Sequence, residues 1–183
     1  MKSLKVAWAS LAIAAAAATT VPVHAAPPEC TPAGDCTVYR NRVTFPANAL
    51  SHGPASAFSL NQQGLDWPGL VGTLSLTVRR PLDFKGNKVR LTVVHQATSG
   101  ESGTLGFAVT AIAFHHGSGF ETYGGVVSDV LDVPPNGDGL WEQSAVVEPG
   151  EGWNPNGPWW YFQIGRQGTY DGNLRVMAVT LEY

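Results

Sequence analysis

Charge is the first thing this chain is short of. Only 14% of its 183 residues are charged, and 11 basic side chains face 14 acidic ones for a net charge of −3. Phosphate binding needs clustered cations, and only Arg79-Arg80 and the stretch 85–90 approach a cluster, so nucleic acid is not an expected partner. Cysteine is nearly absent, with Cys30 and Cys36 alone. A metal site at the two cysteines would need further ligands close by, and only Asp35 lies between them. Sustained 3.6-residue apolar periodicity is missing as well. Gly (21) and Pro (13) leave little room for long helices. There is no second domain, internal repeat or low-complexity tail, and residues 26–34 are the only linker-like stretch.

What is present begins with an address. Lys2 and Lys5 form a positive head, residues 6–18 are apolar with one Ser, and Val23-His24-Ala25 fits a signal-peptidase site. The apolar run is too short to anchor the mature protein. Residues 1–25 read as a signal peptide, the product starts at Ala26, and it works in the periplasm or outside the cell, with no transmembrane segment after processing. The leader takes two lysines with it, so the mature chain is more acidic. In an oxidising compartment Cys30 and Cys36 most simply close a small disulfide loop. Residues 26–37 form this N-terminal segment and 38–183 one domain. With 44% hydrophobic residues, that domain has material for a packed core.

The mature chain alternates like strands. Leu74, Leu76 and Val78 share one face of 73–79, and Thr73, Ser75, Thr77 and Arg79 the other. Residues 89–96 repeat the pattern, with Val89, Leu91, Val93 and His95 of one parity. Residues 105–115 are apolar on both faces, with Phe107, Val109 and Ala111 against Ala108, Ile112 and Phe114, which predicts a central strand. Further strands are predicted over 38–45, weakly around 58–60, and over 126–133 and 141–147. Another holds Trp160, Phe162 and Ile164 on one face. The last puts Met177, Val179, Leu181 and Tyr183 together. Turn clusters at 85–88, 134–139, 148–152 and 154–158 separate them. Eight or nine short antiparallel strands of this kind predict an all-β fold, a β-sandwich of jelly-roll type.

The C-terminal run Trp160-Tyr-Phe-Gln-Ile164-Gly-Arg166-Gln-Gly168-Thr-Tyr170-Asp-Gly172-Asn-Leu174, closing at Tyr183, resembles the closing hairpin of small jelly-roll domains in bacteriophage structural proteins and bacterial secreted proteins. The resemblance covers about 25 residues. It implies a β-sandwich used for structure or ligand contact. The leader departs from the phage setting. Read from its own residues, Arg166 lies at the end of an apolar face and needs a partner. Asp171 is the nearest candidate. A structural pair that fixes the turn is favoured over a clamp for an anionic ligand.

Few residues suggest chemistry. His115-His116 followed by Glu121 resembles a cupin metal motif only loosely, because adjacent strand residues point to opposite faces. His95 would join His115 only if their strands were neighbours. His95, His115, His116 and Glu121 are thus minor metal candidates, and no cofactor is expected. Asp129, Asp132, Glu142, Glu148 and Glu151 form no telling pair. Ser118 lacks a nucleophile elbow. The aromatics weigh more. Trp141, Trp153, Trp159, Trp160 and Tyr161 fall close together, and Trp159 and Tyr161 face away from Trp160. Such rings stack on sugars or anchor protein contacts, with Asn154 and Asn156 as hydrogen-bonding neighbours. The candidate ligand-binding residues are Trp153, Trp159, Tyr161, Asn154 and Arg166. The favoured reading is a secreted, non-catalytic module that binds a glycan or surface protein. The alternatives are a glycan-active or cupin-like metal-dependent enzyme, and an eight-stranded outer-membrane barrel, to which the alternating tail ending in Tyr183 points.

Overall fold

A computed structural model describes residues 29–30, 36–37, 39–54, 58–98, 102–114, 124–127, 131–133, 139–149 and 153–183. The fold is all-β. In chain order the strands are β1 (Glu29–Cys30), β2 (Cys36–Thr37), β3 (Arg42–Pro46), β4 (Ser51–Gly53), β5 (Ser59–Leu60), β6 (Leu65–Trp67), β7 (Thr73–Arg79), β8 (Val89–Ala97), β9 (Gly103–Phe114), β10 (Gly124–Val127), β11 (Leu131–Val133), β12 (Leu140–Val147), β13 (Trp159–Gly168) and β14 (Leu174–Glu182). One 3₁₀ turn, Ala47–Ala49, joins β3 to β4. Among the described residues no helix is long and apolar enough to cross a membrane.

Two antiparallel sheets stack face to face. The front sheet runs β10-β9-β13-β7-β4, with β11 also on β9. The back sheet runs β12-β8-β14-β6-β5, with β3 also on β14. The strands form two separate sheets around a filled interior, which corrects the barrel alternative, a single closed sheet. The alternation read from the sequence sets what is inside. Leu74, Leu76, Phe107, Val109, Ala111, Trp160, Phe162 and Ile164 come from the front, and Val89, Leu91, Val93, Leu174, Val176, Val179 and Leu181 from the back. Burying a large apolar side chain stabilises by about 1.5–3 kcal/mol, so these inward rows hold the layers together.

Of the stretch 126–133, residues 126–127 lie in β10 and 131–133 in β11, both on β9, and 128–130 lie outside the described residues. Two expectations need correction. In the last strand, Val176 pairs with His95 and Ala178 with Val94, so Met177 is an extra residue in a β-bulge. Met177 is turned out to solvent while Val179 and Leu181 stay inside. Finally, the C-terminal pair is not a hairpin. β13 bonds to β7 and β9 in the front sheet, and β14 to β8, β6 and β3 in the back, so residues 169–173 carry the chain across the sandwich.

That crossover is tightly built. Gly168 has φ +104°, and a Cβ there would run into the Thr104 carbonyl oxygen, so glycine is required. The N–H groups of Thr169 and Tyr170 both donate to that carbonyl at 2.9 Å. At the other end of the chain, β1 and β2 pair with Cys30 opposite Cys36. Residues 1–25, read from the sequence as a signal peptide, lie outside the described residues.

Candidate functional site

Strand parity builds one outward platform. On β13, Trp160, Phe162 and Ile164 point into the core, so Trp159, Tyr161, Gln163 and Gly165 point out of the front sheet. Register places Arg79, Trp159 and Phe114 in one row, Thr77, Tyr161 and Ile112 in the next, then Ser75, Gln163 and Thr110, then Thr73, Gly165 and Ala108. Trp159 is 48% exposed, and Tyr161, Phe114 and Ile112 are half-buried. The Tyr161 and Phe114 rings lie 6.4 Å apart. Gln163 donates through Nε2 to Thr73 Oγ1 at 3.2 Å, and its carbonyl oxygen remains an acceptor. Gly165 has no side chain, which leaves a shallow step beyond the aromatic end.

The turn ahead of β13 supplies the adjoining amides. Asn154 Oδ1 accepts from the Asn156 N–H at 3.0 Å, and both residues are exposed. The turn is seated because the buried Trp160 indole donates to the Pro155 carbonyl at 3.0 Å. Gly157 lies so close to β9 that a Cβ would meet the Phe114 carbonyl oxygen at 2.7 Å.

Two outer rows of the back sheet are built differently. One of its outer rows is Val146, Arg90, Glu182 and Arg42, and Arg90 Nε donates to Glu182 Oε2 at 2.5 Å beneath the Tyr39 ring. The next is Ser144, Thr92, Thr180 and Thr44. There the hydroxyls bond to one another, 2.8 Å for Ser144 to Thr92 and 3.2 Å for Thr44 to Thr180. Those polar groups are occupied with one another.

Other predicted site residues are placed differently. Trp153 is 1% exposed, with its ring 5.9 Å from Trp160 and 6.4 Å from Phe162, so it is a core residue and not a loop platform. Arg166 is buried and points inward. Its Nη1 donates to the carbonyls of Trp67 and Gly69, and its Nη2 to those of Tyr170 and Gly172 at 2.9 Å each. It does fix the turn, as the structural account held, but through backbone oxygens and not through Asp171. Burial pulls its pKa down to about 10, partly offset by Tyr170 and Asp171, so it stays charged at neutral pH.

His95 is fully buried between the sheets. Its Nε2 is 2.9 Å from Gln143 Oε1, and Gln143 Nε2 donates to the Leu105 carbonyl at 2.9 Å. Phe107 meets the ring edge-on at 5.2 Å, and Trp141 lies 6.0 Å away. Burial lowers the His95 pKa to about 4, the Gln143 hydrogen bond opposing and Arg166 adding to the shift. His95 lies on β8 of the back sheet, opposite the sheet that holds β9. His115, His116 and Glu121 lie outside the described residues. Among the described residues no group of three His, Cys, Asp or Glu side chains could hold a metal.

Of the residues singled out from the sequence, Trp159 and Asn154 are exposed and Tyr161 is half-buried, and Phe114, Gln163 and Thr77, not singled out there, lie in the same outward rows as Trp159 and Tyr161. The signal was the double apolar face of β9, which puts Phe114 and Ile112 outside.

No protein-family model and no curated protein matches the chain. Several solved β-rich structures are similar over most of it. The CBM22-1–GH10 modules of a Clostridium thermocellum endo-1,4-β-D-xylanase, complexed with xylohexaose, share 11% identity at a TM-score of 0.49, covering 75% of this chain and 26% of that one. A xylan-binding module, CBM15, shares 13% at 0.44, covering 78% and 97%. An exo-β-1,3-galactanase from Phanerochaete chrysosporium, with galactose, shares 17% at 0.43, covering 82% and 31%. These are similarities of overall shape to proteins that share little sequence with this chain.

Proposed function

We propose that this protein is an exported, non-catalytic module that binds a polysaccharide on the outer face of its front sheet. One observation carries the reading. Trp159, Tyr161 and Phe114 stand side by side on an outward face whose remaining positions are Arg79, Ile112, hydroxyls, an amide and small residues. Aromatic rings offer flat apolar faces to the C–H side of a sugar, and neighbouring amides and hydroxyls bond its hydroxyl groups. An open strip of rows suits a chain better than a single small molecule, which favours an enclosed cavity. Export, the cleavage after Ala25 and a Cys30–Cys36 disulfide belong to the same reading, supported by the leader pattern and the opposed register of the two cysteines.

Affinity electrophoresis of the cleaved protein through gels containing plant, algal and bacterial polysaccharides tests it. At least one polymer is expected to retard the wild type. Trp159→Ala and Tyr161→Ala should each weaken binding about 10–100-fold, as for aromatic anchors, with thermal unfolding little changed. Retardation that survives both substitutions, or retardation by no polymer, refutes the platform.

A further inference from the structure

We infer that the platform takes an acidic polysaccharide, with Arg79 holding the carboxylate of a uronic-acid residue next to a sugar stacked on Trp159. This rests on the polysaccharide-binding reading and names the class of chain. Among the described residues of the four outward rows, Arg79 is the only charged side chain. It is exposed at the end of β7 and opposite Trp159, and it has no hydrogen-bond or ion-pair partner among the described residues.

Its neighbour makes the contrast. Arg80 donates from Nη2 to the Phe84 carbonyl at 3.2 Å and lies over the Phe84 ring at 5.7 Å, so it is a structural arginine. Arg166 and Arg90 likewise find their partners inside the protein. Arg79 alone is set beside the exposed indole with its fork of donors free of partners among the described residues. A guanidinium matches a carboxylate with two parallel N–H···O bonds, which a neutral hydroxyl cannot accept in the same way. Among the described residues these rows hold no carboxylate to repel a uronate, and Asp132 faces out in the distant row of Thr104. One cation in the strip fits a chain in which an acidic sugar recurs among neutral contacts. The ammonium-rich surface that a densely sulfated chain needs is missing from these rows.

The test uses alginate, polygalacturonate and glucuronoxylan, each beside its carboxyl-reduced form, in which the uronate is converted to the neutral sugar. Affinities are measured for wild type, Arg79→Gln, and Arg42→Gln, which makes the same charge change on the exposed β3 of the back sheet. At least one acidic polymer should bind about tenfold more tightly than its reduced form, a difference of about 1.4 kcal/mol. Arg79→Gln should erase that difference and leave the reduced polymer within about twofold, while Arg42→Gln should keep it. Raising the salt to 0.5 M should weaken only the acidic arm. Equal binding of acidic and reduced forms, or a preference that survives Arg79→Gln, overturns the uronate assignment. In that case loss of binding in Trp159→Ala would leave the polysaccharide reading standing. Binding to no polymer, neutral or acidic, removes both.

Discussion

Arg166→Met is expected to destabilise the protein by about 3 kcal/mol, the order expected when several buried carbonyls lose a charged donor. The guanidinium satisfies four backbone carbonyls, those of Trp67, Gly69, Tyr170 and Gly172. Trp67 closes β6 in the back sheet, whereas Tyr170 and Gly172 belong to the crossover that leaves β13. One side chain therefore pins the front sheet to the back at the point where the chain changes layers. Met fills similar space but leaves four acceptors without their donors, and each unsatisfied buried group costs about 1–3 kcal/mol before relaxation. The Trp67 and Tyr170 rings, 5.8 and 5.6 Å from the guanidinium carbon, also lose their cation. Arg166→Lys should recover only part of the loss, because an ammonium has three donors and no planar fork. Urea unfolding followed by circular dichroism measures both. A change below about 1 kcal/mol for Arg166→Met would show that the carbonyls find other donors.

Acid should weaken the fold early, and His95 should be the cause. Its folded-state pKa of about 4 lies below the ordinary value of 6.5 because burial penalises the cation, with Arg166 adding to the penalty. The unfolded chain thus binds a proton that the folded protein refuses. The sign follows. This contribution to stability is fully present above about pH 6.5 and is lost as the pH falls towards 4. At about 1.4 kcal/mol per pKa unit, the loss amounts to about 3 kcal/mol. Nδ1 has no partner in its buried site, so a proton placed there gains no hydrogen bond. Urea midpoints at pH 7.5 and pH 4.5 should differ markedly for wild type and much less for His95→Leu. The His95 ring signal in an NMR titration should stay neutral through pH 5. A His95 that titrates near 6.5 would contradict the burial argument.

The two layers were legible in the sequence because alternation reports sidedness directly. Residues 73–79 form β7 as read, and the opposition of Trp159 and Tyr161 to Trp160 holds. Trp153 was not legible. Its Gly-, Pro- and Asn-rich surroundings suggest a surface loop, yet the turn that follows is drawn inward by the bond from the Trp160 indole to Pro155. The Met177 bulge left the parity of 179–183 intact and displaced only one residue, which alternation cannot show. Arg166 was recognised as a buried charge in need of a partner. Its true partners are main-chain oxygens, which carry no side-chain signature. The platform itself depends on pairing between strands far apart in sequence, β7 with β13 and β13 with β9. Phe114, Tyr161 and Arg79 became neighbours only once that order was known.

The most direct measurement is an NMR titration of the cleaved protein with oligosaccharides cut from the polymer it binds best, following backbone amides and indole N–H groups. The account predicts shifts contiguous over 75–79, 110–114 and 159–163, with the Trp159 indole moving and those of Trp67, Trp153 and Trp160 still. Shifts centred on the back sheet, or an unmoved Trp159 under saturating ligand, would contradict it.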